Sequence, residues 1–256
     1  MAIGGRPDKQ RRMRGRRDAS LDHRIDEIQH AHGLDRAQAT QIALGRADLN
    51  DVLQRMAINA QVDGLIRRYD LSRALATQIA LGQADLEAVL LKRRMSEHLA
   101  ENRSRSILDA AAADQNPLVI GLHGKRVLEG KVVESRQYEI DFKPHGEDAE
   151  TVHKLQLKYA MAAGLRKKAR RVLRYDRDLS AEPREPIWKP QDRYTCSNRR
   201  LYGYMDKATA ITVTLLEGEQ FKGKVTWIGR FEFGFEVKTA TELVIFRHAL
   251  ADVTEG

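Results

Sequence analysis

The octapeptide Phe231-Glu232-Phe233-Gly234-Phe235-Glu236-Val237-Lys238 alternates apolar and polar side chains, and Tyr138-Glu139-Ile140-Asp141-Phe142-Lys143 does the same earlier in the chain. Strict alternation marks a strand with one buried and one wet face. Each stretch begins eight residues after a Gly-Lys-Val, at Gly130 and at Gly223, so the pattern points to duplication of a whole small β unit. In the later copy the spacing predicts strands over 211–216, 221–227, 231–238 and 242–246, with a closing run through Val253. The earlier copy predicts strands over 118–122, 127–134, 138–143 and 152–159. Five short, bent strands in so few residues suggest a small closed or nearly closed barrel, and Gly223 and Gly234 inside strands mark bends or close backbone approach.

The preceding half is helical. Ala39-Thr40-Gln41-Ile42-Ala43-Leu44-Gly45-Arg46-Ala47-Asp48-Leu49 returns 37 residues later as Ala76-Thr77-Gln78-Ile79-Ala80-Leu81-Gly82-Gln83-Ala84-Asp85-Leu86. Asp35 and Ser72 are N-cap residues, and the glycine after Ala-Leu ends one helix before Asp48 or Asp85 caps the next. Apolar positions at helical spacing, Ile42, Leu49, Val52, Leu53 and Met56, recur at Ile79, Leu86, Val89 and Leu90, so two repeats are expected to bury one another. Helix, turn, helix also describes a DNA-reading motif, but the repeated residues are the apolar ones that packing constrains. A structural or partner-docking role, to a protein or the ribosome, is the preferred reading. A long helix is expected over 91–113, ended by Pro117.

The formal charge of +8 makes a polyanion the default partner. The single cysteine, Cys196, forms no internal disulfide, excludes a cysteine-built metal site and suits a reducing cytosol, so a cytoplasmic protein is expected. Residues 1–20 carry seven Lys or Arg and no apolar run, which reads as a basic disordered tail and not a secretory signal. No apolar stretch approaches the roughly 20 residues that span a bilayer. The expected organisation is α+β: the tail, a helical repeat bundle over 21–113, a first five-stranded barrel with a basic helix over 114–177, a Pro, Arg and aromatic linker over 178–206, and a second barrel over 207–256.

In the later copy, Val213-Thr214-Leu215-Leu216-Glu217-Gly218, Phe221-Lys222-Gly223-Lys224-Val225, Arg230-Phe231 and Val244-Ile245-Phe246-Arg247-His248-Ala249-Leu250 resemble the Sm-like fold in its bacterial form, the Hfq family. The resemblance covers about 45 residues in each copy, roughly a third of the chain, and implies a bent five-strand barrel that binds single-stranded RNA. Family members stack a base on an aromatic beside a Gln at the start of the third strand, and a neighbouring subunit's Lys-His pair completes a uridine-preferring pocket. Gln137-Tyr138 matches the first pair in the earlier copy, while Arg230-Phe231 keeps the aromatic alone. Arg247-His248 matches the second pair, and Lys158-Tyr159 is placed opposite it in the earlier copy. The aromatic of the opposite face falls on Thr214 and Ile120, which argues against adenine-rich binding there. Such barrels usually join in rings: two barrels of one chain pairing with each other, three chains giving six positions, and a monomer with covered edges are all compatible with the sequence.

The residues support RNA binding independently. An exposed Tyr or Phe beside a Lys or Arg offers a stacking face worth about 1–3 kcal/mol per base and an anchor for phosphate; Tyr138 and Phe231 are equally in phase with the strand cores that follow them. Arg166, Lys167, Lys168, Arg170, Arg171 and Arg174 form a run with no acidic residue, read as an arginine-rich RNA clamp in preference to a solvated helix that contacts nothing. The linker interleaves Trp188, Tyr194, Tyr202 and Tyr204 with arginines, which suits either base stacking or a strap packed on a barrel. His248 lacks the neighbours of a metal ligand. No phosphate-cradling loop or catalytic motif is present: Gly124-Lys125-Arg126 lacks the earlier glycine and the Ser or Thr of a P-loop. No cofactor or metal is expected. The sequence therefore predicts a non-catalytic RNA-binding protein engaged in post-transcriptional regulation or RNA chaperoning. The rival reading is a DNA-binding transcriptional regulator whose barrels oligomerise.

Overall fold

The computed structural model describes residues 8–238 and 241–256. The chain divides into two compact units, one up to Leu90 and one from Leu91 onward.

The first unit contains α1 (Asp8–His32), α2 (Arg36–Ala43), α3 (Leu49–Tyr69), α4 (Arg73–Ala80) and the start of α5 (Leu86–Glu101). Residues 1–7 of the expected tail lie outside the described residues, and from Asp8 onward that stretch is helical. Its Arg, Gln and Met residues are good helix formers, and the same helix continues into the packed residues Leu21, Ile25 and Ile28. The caps are those the sequence predicts. Asp35 and Gln38 form a reciprocal capping box, Ser72 accepts from the Leu75 amide, and Asp48 caps α3. Gly45 and Gly82 both turn at φ +70°.

The repeat extends further back than the near-identical segment. Arg36 pairs with Asp26 at 3.0 Å, and 37 residues on Arg73 pairs with Asp63 at 2.7 Å. Ile25 and Val62, also 37 apart, are both buried. Each repeat thus begins one helix earlier, and its core lies within its own helix pair. Ile25, Ala39 and Ala43 form one cluster, and Val62, Leu71 and Ala76 form another.

The second unit holds the rest of α5, α6 (Ile107–Asp114), α7 (Arg166–Val172), α8 (Asn198–Asp206) and eleven strands. The single long helix expected over 91–113 is broken, because Ser106 accepts from the Asp109 amide and starts α6 afresh. The strands are β1 (Leu118–Leu122), β2 (Val127–Ser135), β3 (Glu139–Pro144), β4 (Glu150–His153), β5 (Leu157–Ala162), β6 (Arg174–Tyr175), β7 (Ile211–Leu215), β8 (Glu219–Ile228), β9 (Glu232–Val237), β10 (Thr241–Phe246) and β11 (Leu250–Glu255).

A 93-residue offset governs this unit. It relates β1 to β7, β3 to β9 and β5 to β11, and it carries the 3-10 turn Lys154–Gln156 onto Arg247–Ala249. Both copies bulge at the same place, after Val132 and after Val225. The repeated Gly-Lys-Val has a steric cause: a Cβ on Gly130 would stand on the Lys143 carbonyl, and one on Gly223 on the Glu236 carbonyl.

Two separate closed barrels are not what these strands form. They make one open antiparallel sheet in the order β11-β7-β8-β9-β10-β5-β1-β2-β3-β4, with β6 beside β8. The copies join where β10 pairs with β5, Val244 opposite Ala160 and Ile245 opposite Tyr159. One core gathers Val213, Phe221, Phe233, Phe235 and Ile245 under α8, and another gathers Ile120, Val132, Ile140 and Phe142 under α6.

The expectation that Lys158 and Tyr159 contact RNA is corrected here. Lys158 is 1% exposed and its ammonium bonds the buried carboxylates of Glu217 and Glu219. Glu217 also accepts from the amides of Gly124, Lys125 and Arg184 at 3.1, 3.2 and 2.9 Å. Burial pushes the Glu217 carboxyl up, but the Lys158 bond and the amides of Arg184 and Lys125 outweigh it and hold the group below the usual range. Tyr159 is buried with its ring edge toward Phe221, 5.4 Å away, and it lies over Gly121. Removing one partner of a buried ionic cluster is far more damaging than never building it. Lys158→Ala is therefore expected to lower the unfolding free energy by roughly 3–5 kcal/mol, read from urea melts; an unchanged midpoint would contradict the role assigned to the cluster.

Candidate nucleic-acid interface

A groove of about 1170 Å³ runs across the joint between the two copies. The earlier copy contributes residues 135–138 and the 3-10 turn at Lys154. The later copy contributes residues 230–232 and 246–248, and the loop before α6 and the segment 193–196 complete the walls.

Tyr138 and Phe231 hold equivalent positions, and both lie in the open, 63% and 64% exposed. They precede β3 and β9, whose first inward residues, Ile140 and Phe233, are fully buried. The strand phase that left their role open is thus settled for exposure. The Gln137 amide donates to the Tyr138 hydroxyl at 2.9 Å, and the Arg230 guanidinium lies over the Phe231 ring, 4.8 Å from its centroid. Both aromatic faces therefore have a polar or cationic neighbour within reach of a stacked base.

Among the further cations of the groove are Arg193, from the Arg and aromatic linker, and two that the sequence reading did not single out. Arg105 lies 4.2 Å from the Trp227 ring centroid, and Arg193 is pinned by the carbonyls of Ile187 and Trp188 at 2.8 and 2.7 Å. Lys154 is the third. The 93-residue offset carries Arg247 onto Lys154, so the cation equivalent to Arg247 is Lys154 and not Lys158.

Arg247 and His248 reach the groove but are held structurally. Arg247 donates to the Asn198 side chain and the Cys196 carbonyl, both at 2.7 Å, tying the last turn to the start of α8. Burial drives the His248 imidazole down to about 4, so it is neutral at ordinary pH. With Nε2 carrying the proton it donates to the Leu157 carbonyl at 2.8 Å. α7 does not line the groove. Lys167, Lys168, Arg170 and Arg171 are exposed on it, Ala169 is its buried contact, and Arg166 pairs with Glu129 at 2.7 Å. The expected clamp is therefore a separate surface, basic on the sides that face solvent.

At the groove floor Glu232 is only 4% exposed and accepts from the Ile107 amide at 2.8 Å. Burial is the main reason its carboxyl rises to about 7; Asp109 adds to the rise, while the Ile107 amide, Lys154 and Arg105 oppose it. Among the described residues no group of three or more His, Cys, Asp and Glu side chains is placed to hold a metal, and no helix is long and apolar enough to cross a membrane.

No family model matches the chain, and neither does any curated protein. The solved structures that match include a crystal structure of the pleiotropic translational regulator Hfq, 23% identical over 22% of this chain and 93% of that chain, with a TM-score of 0.22. At that level of superposition the match adds nothing to the geometry above.

The raised Glu232 carboxyl has a consequence for stability. The folded form keeps this proton up to about pH 7, whereas an unfolded chain loses it near the ordinary carboxylate value. Between those values the folded state binds more protons, so its stability falls as pH rises. His248 works in the opposite sense over its own window, from about 6.5 down to about 4, where acid destabilises the fold. Comparison with Glu232→Gln isolates the first effect. Relative to that variant, the wild type should lose about 2–3 kcal/mol between pH 5 and pH 8, measured by chemical denaturation at each pH. Parallel pH profiles for the two proteins would refute the burial of this charge.

Proposed function

We propose that this chain is a non-catalytic RNA-binding protein of the Sm-like, Hfq type, which grips single-stranded RNA along the groove between its two β copies. The observation that carries the reading is the placement of two exposed aromatics, Tyr138 and Phe231, in one groove lined by arginines. Aromatic faces take unpaired bases in any sequence, and neighbouring cations take the phosphates. The sequence pattern of the later copy and the recurrence of a helix followed by five strands at a constant offset support the same class. α7 and the basic N-terminal residues add sequence-independent attraction. A preference for uridine-rich strands, a place in post-transcriptional regulation or RNA chaperoning, a cytoplasmic setting, and a protein or ribosomal partner for the helical repeats complete the proposal.

Charge weighs against the DNA-regulator reading. Residues 8–90, from the start of α1 through both helical repeats, carry thirteen Lys or Arg against twelve Asp or Glu, a net of 13 − 12 = +1. A nearly neutral segment offers duplex phosphates little attraction.

Binding competition tests the proposal. A uridine-rich single-stranded RNA is expected to displace duplex DNA, with a log-log salt slope of about −0.7 per phosphate contacted. Tyr138→Ala and Phe231→Ala should each weaken the complex by about 1–3 kcal/mol, read by fluorescence anisotropy. Equal or tighter binding of duplex DNA, or unchanged RNA affinity in both variants, would overturn it.

A further inference from the structure

Glu232 follows the exposed Phe231 in sequence, and it lines the same groove although it is 4% exposed. Its Oε1 accepts the Ile107 amide; among the described residues its Oε2 has no hydrogen-bond partner. The equivalent residue of the earlier copy, Glu139, lies in solvent. One copy has thus drawn a carboxylate inward, beneath the start of α6, and left half of it unused. Oε2 is not one of the fully buried atoms left without a partner, which are His123 Nε2 and Glu219 Oε2, so it stays open to the groove and can take a donor from there.

The surroundings limit the kind of donor that fits. Arg105 precedes α6, Lys154 lies on the 3-10 turn of the earlier copy, Arg230 is on the same wall, and Arg247 and the neutral His248 come from the last turn. Asp109 of α6 is the other carboxylate lining the groove. With these four cations and also Arg103, Arg136 and Arg193 lining it, the groove disfavours a cationic donor and suits an otherwise anionic molecule. The neighbouring Phe231 face favours a planar one. An ionised carboxylate is acceptor-only and best satisfied by two adjacent N–H donors. Among the bases, guanine presents such a pair on its Watson–Crick edge, N1–H and the N2 amino group. Uracil has one N–H between two acceptors, and adenine and cytosine each set an amino group beside an acceptor nitrogen.

We propose that Glu232 reads guanine: a base stacked on Phe231 donates N1–H and N2–H to the Glu232 carboxylate. This deepens the RNA-binding proposal and rests on it, although a free guanine nucleotide offers the same chemistry. Guanine is taken by the ionised carboxylate, so its advantage over uracil grows with pH. An adenine or cytosine reader would use the protonated acid, and its advantage would shrink.

The test uses the full chain and labelled RNA hexamers: all-uridine, the same strand with one central guanosine, and the same strand with inosine, which lacks the N2 amino group, in its place. Wild-type protein is expected to bind the guanosine strand about tenfold or more tighter than the all-uridine strand at pH 8 and by a smaller factor at pH 6, with inosine losing most of the gain. Glu232→Gln keeps an acceptor for the Ile107 amide and should bind both natural strands alike. If that variant does not fold, the inosine comparison on the wild type still decides. Equal binding of guanosine and uridine strands, or of guanosine and inosine strands, overturns the inference while leaving the RNA reading intact. If no strand binds, GMP is the remaining probe: binding to the wild type but not to Glu232→Gln assigns the site to a free nucleotide and removes the RNA reading. No binding of GMP either overturns both.

Discussion

The antiparallel pairing of β5 with β10 is the interaction on which the rest of the β unit depends. It is short, with two residue pairs in register, and two unpaired strand edges would be left at the middle of the sheet without it. The buried Lys158, Glu217 and Glu219 cluster reinforces the same joint, since Lys158 lies in β5 while Glu217 also takes the amides of the β1–β2 turn. Apolar contacts alone would join the copies but would tolerate sliding. A lysine that must meet two carboxylates, one of which must meet three amides, permits one arrangement. That arrangement sets the distance between Tyr138 and Phe231, and hence the shape of the groove.

Much of this was legible in the chain itself. Alternation located β3 and β9, and the Gly-Lys-Val spacing located the glycines at which the backbones of adjacent strands come closest. The helical caps at Asp35, Asp48 and Ser72 were readable because capping is local chemistry. The reading failed where a local pattern ran through a change of structure. Residues 152–159, Val-His-Lys-Leu-Gln-Leu-Lys-Tyr, alternate well enough to pass for one strand, yet a 3-10 turn at Lys154–Gln156 interrupts them. The cation of the groove was consequently sought four residues too late, on a lysine whose burial depends on two glutamates about 60 residues away.

Glu232 was hidden for a different reason. In an alternating strand a glutamate falls on the wet face by default, as Glu139 does. Only the tertiary structure brings α6, from 125 positions earlier in the chain, to rest its first amide on that carboxylate. No periodicity carries such information. The cations that line the groove with it are likewise scattered from Arg103 to Arg247, and they become a single field only once the joint has formed.

The covalent joining of the two copies also changes what symmetry allows. In a closed ring of identical subunits a side chain is present at every interface or at none. Here one interface is built from two sequences that have diverged, so a carboxylate can turn inward on one side while its counterpart stays in water. The groove consequently has a head and a tail: Gln137 with Tyr138 at one end, Arg230 with Phe231 and Glu232 at the other. A strand with its own chemical direction, laid along it, meets those two ends in one order only.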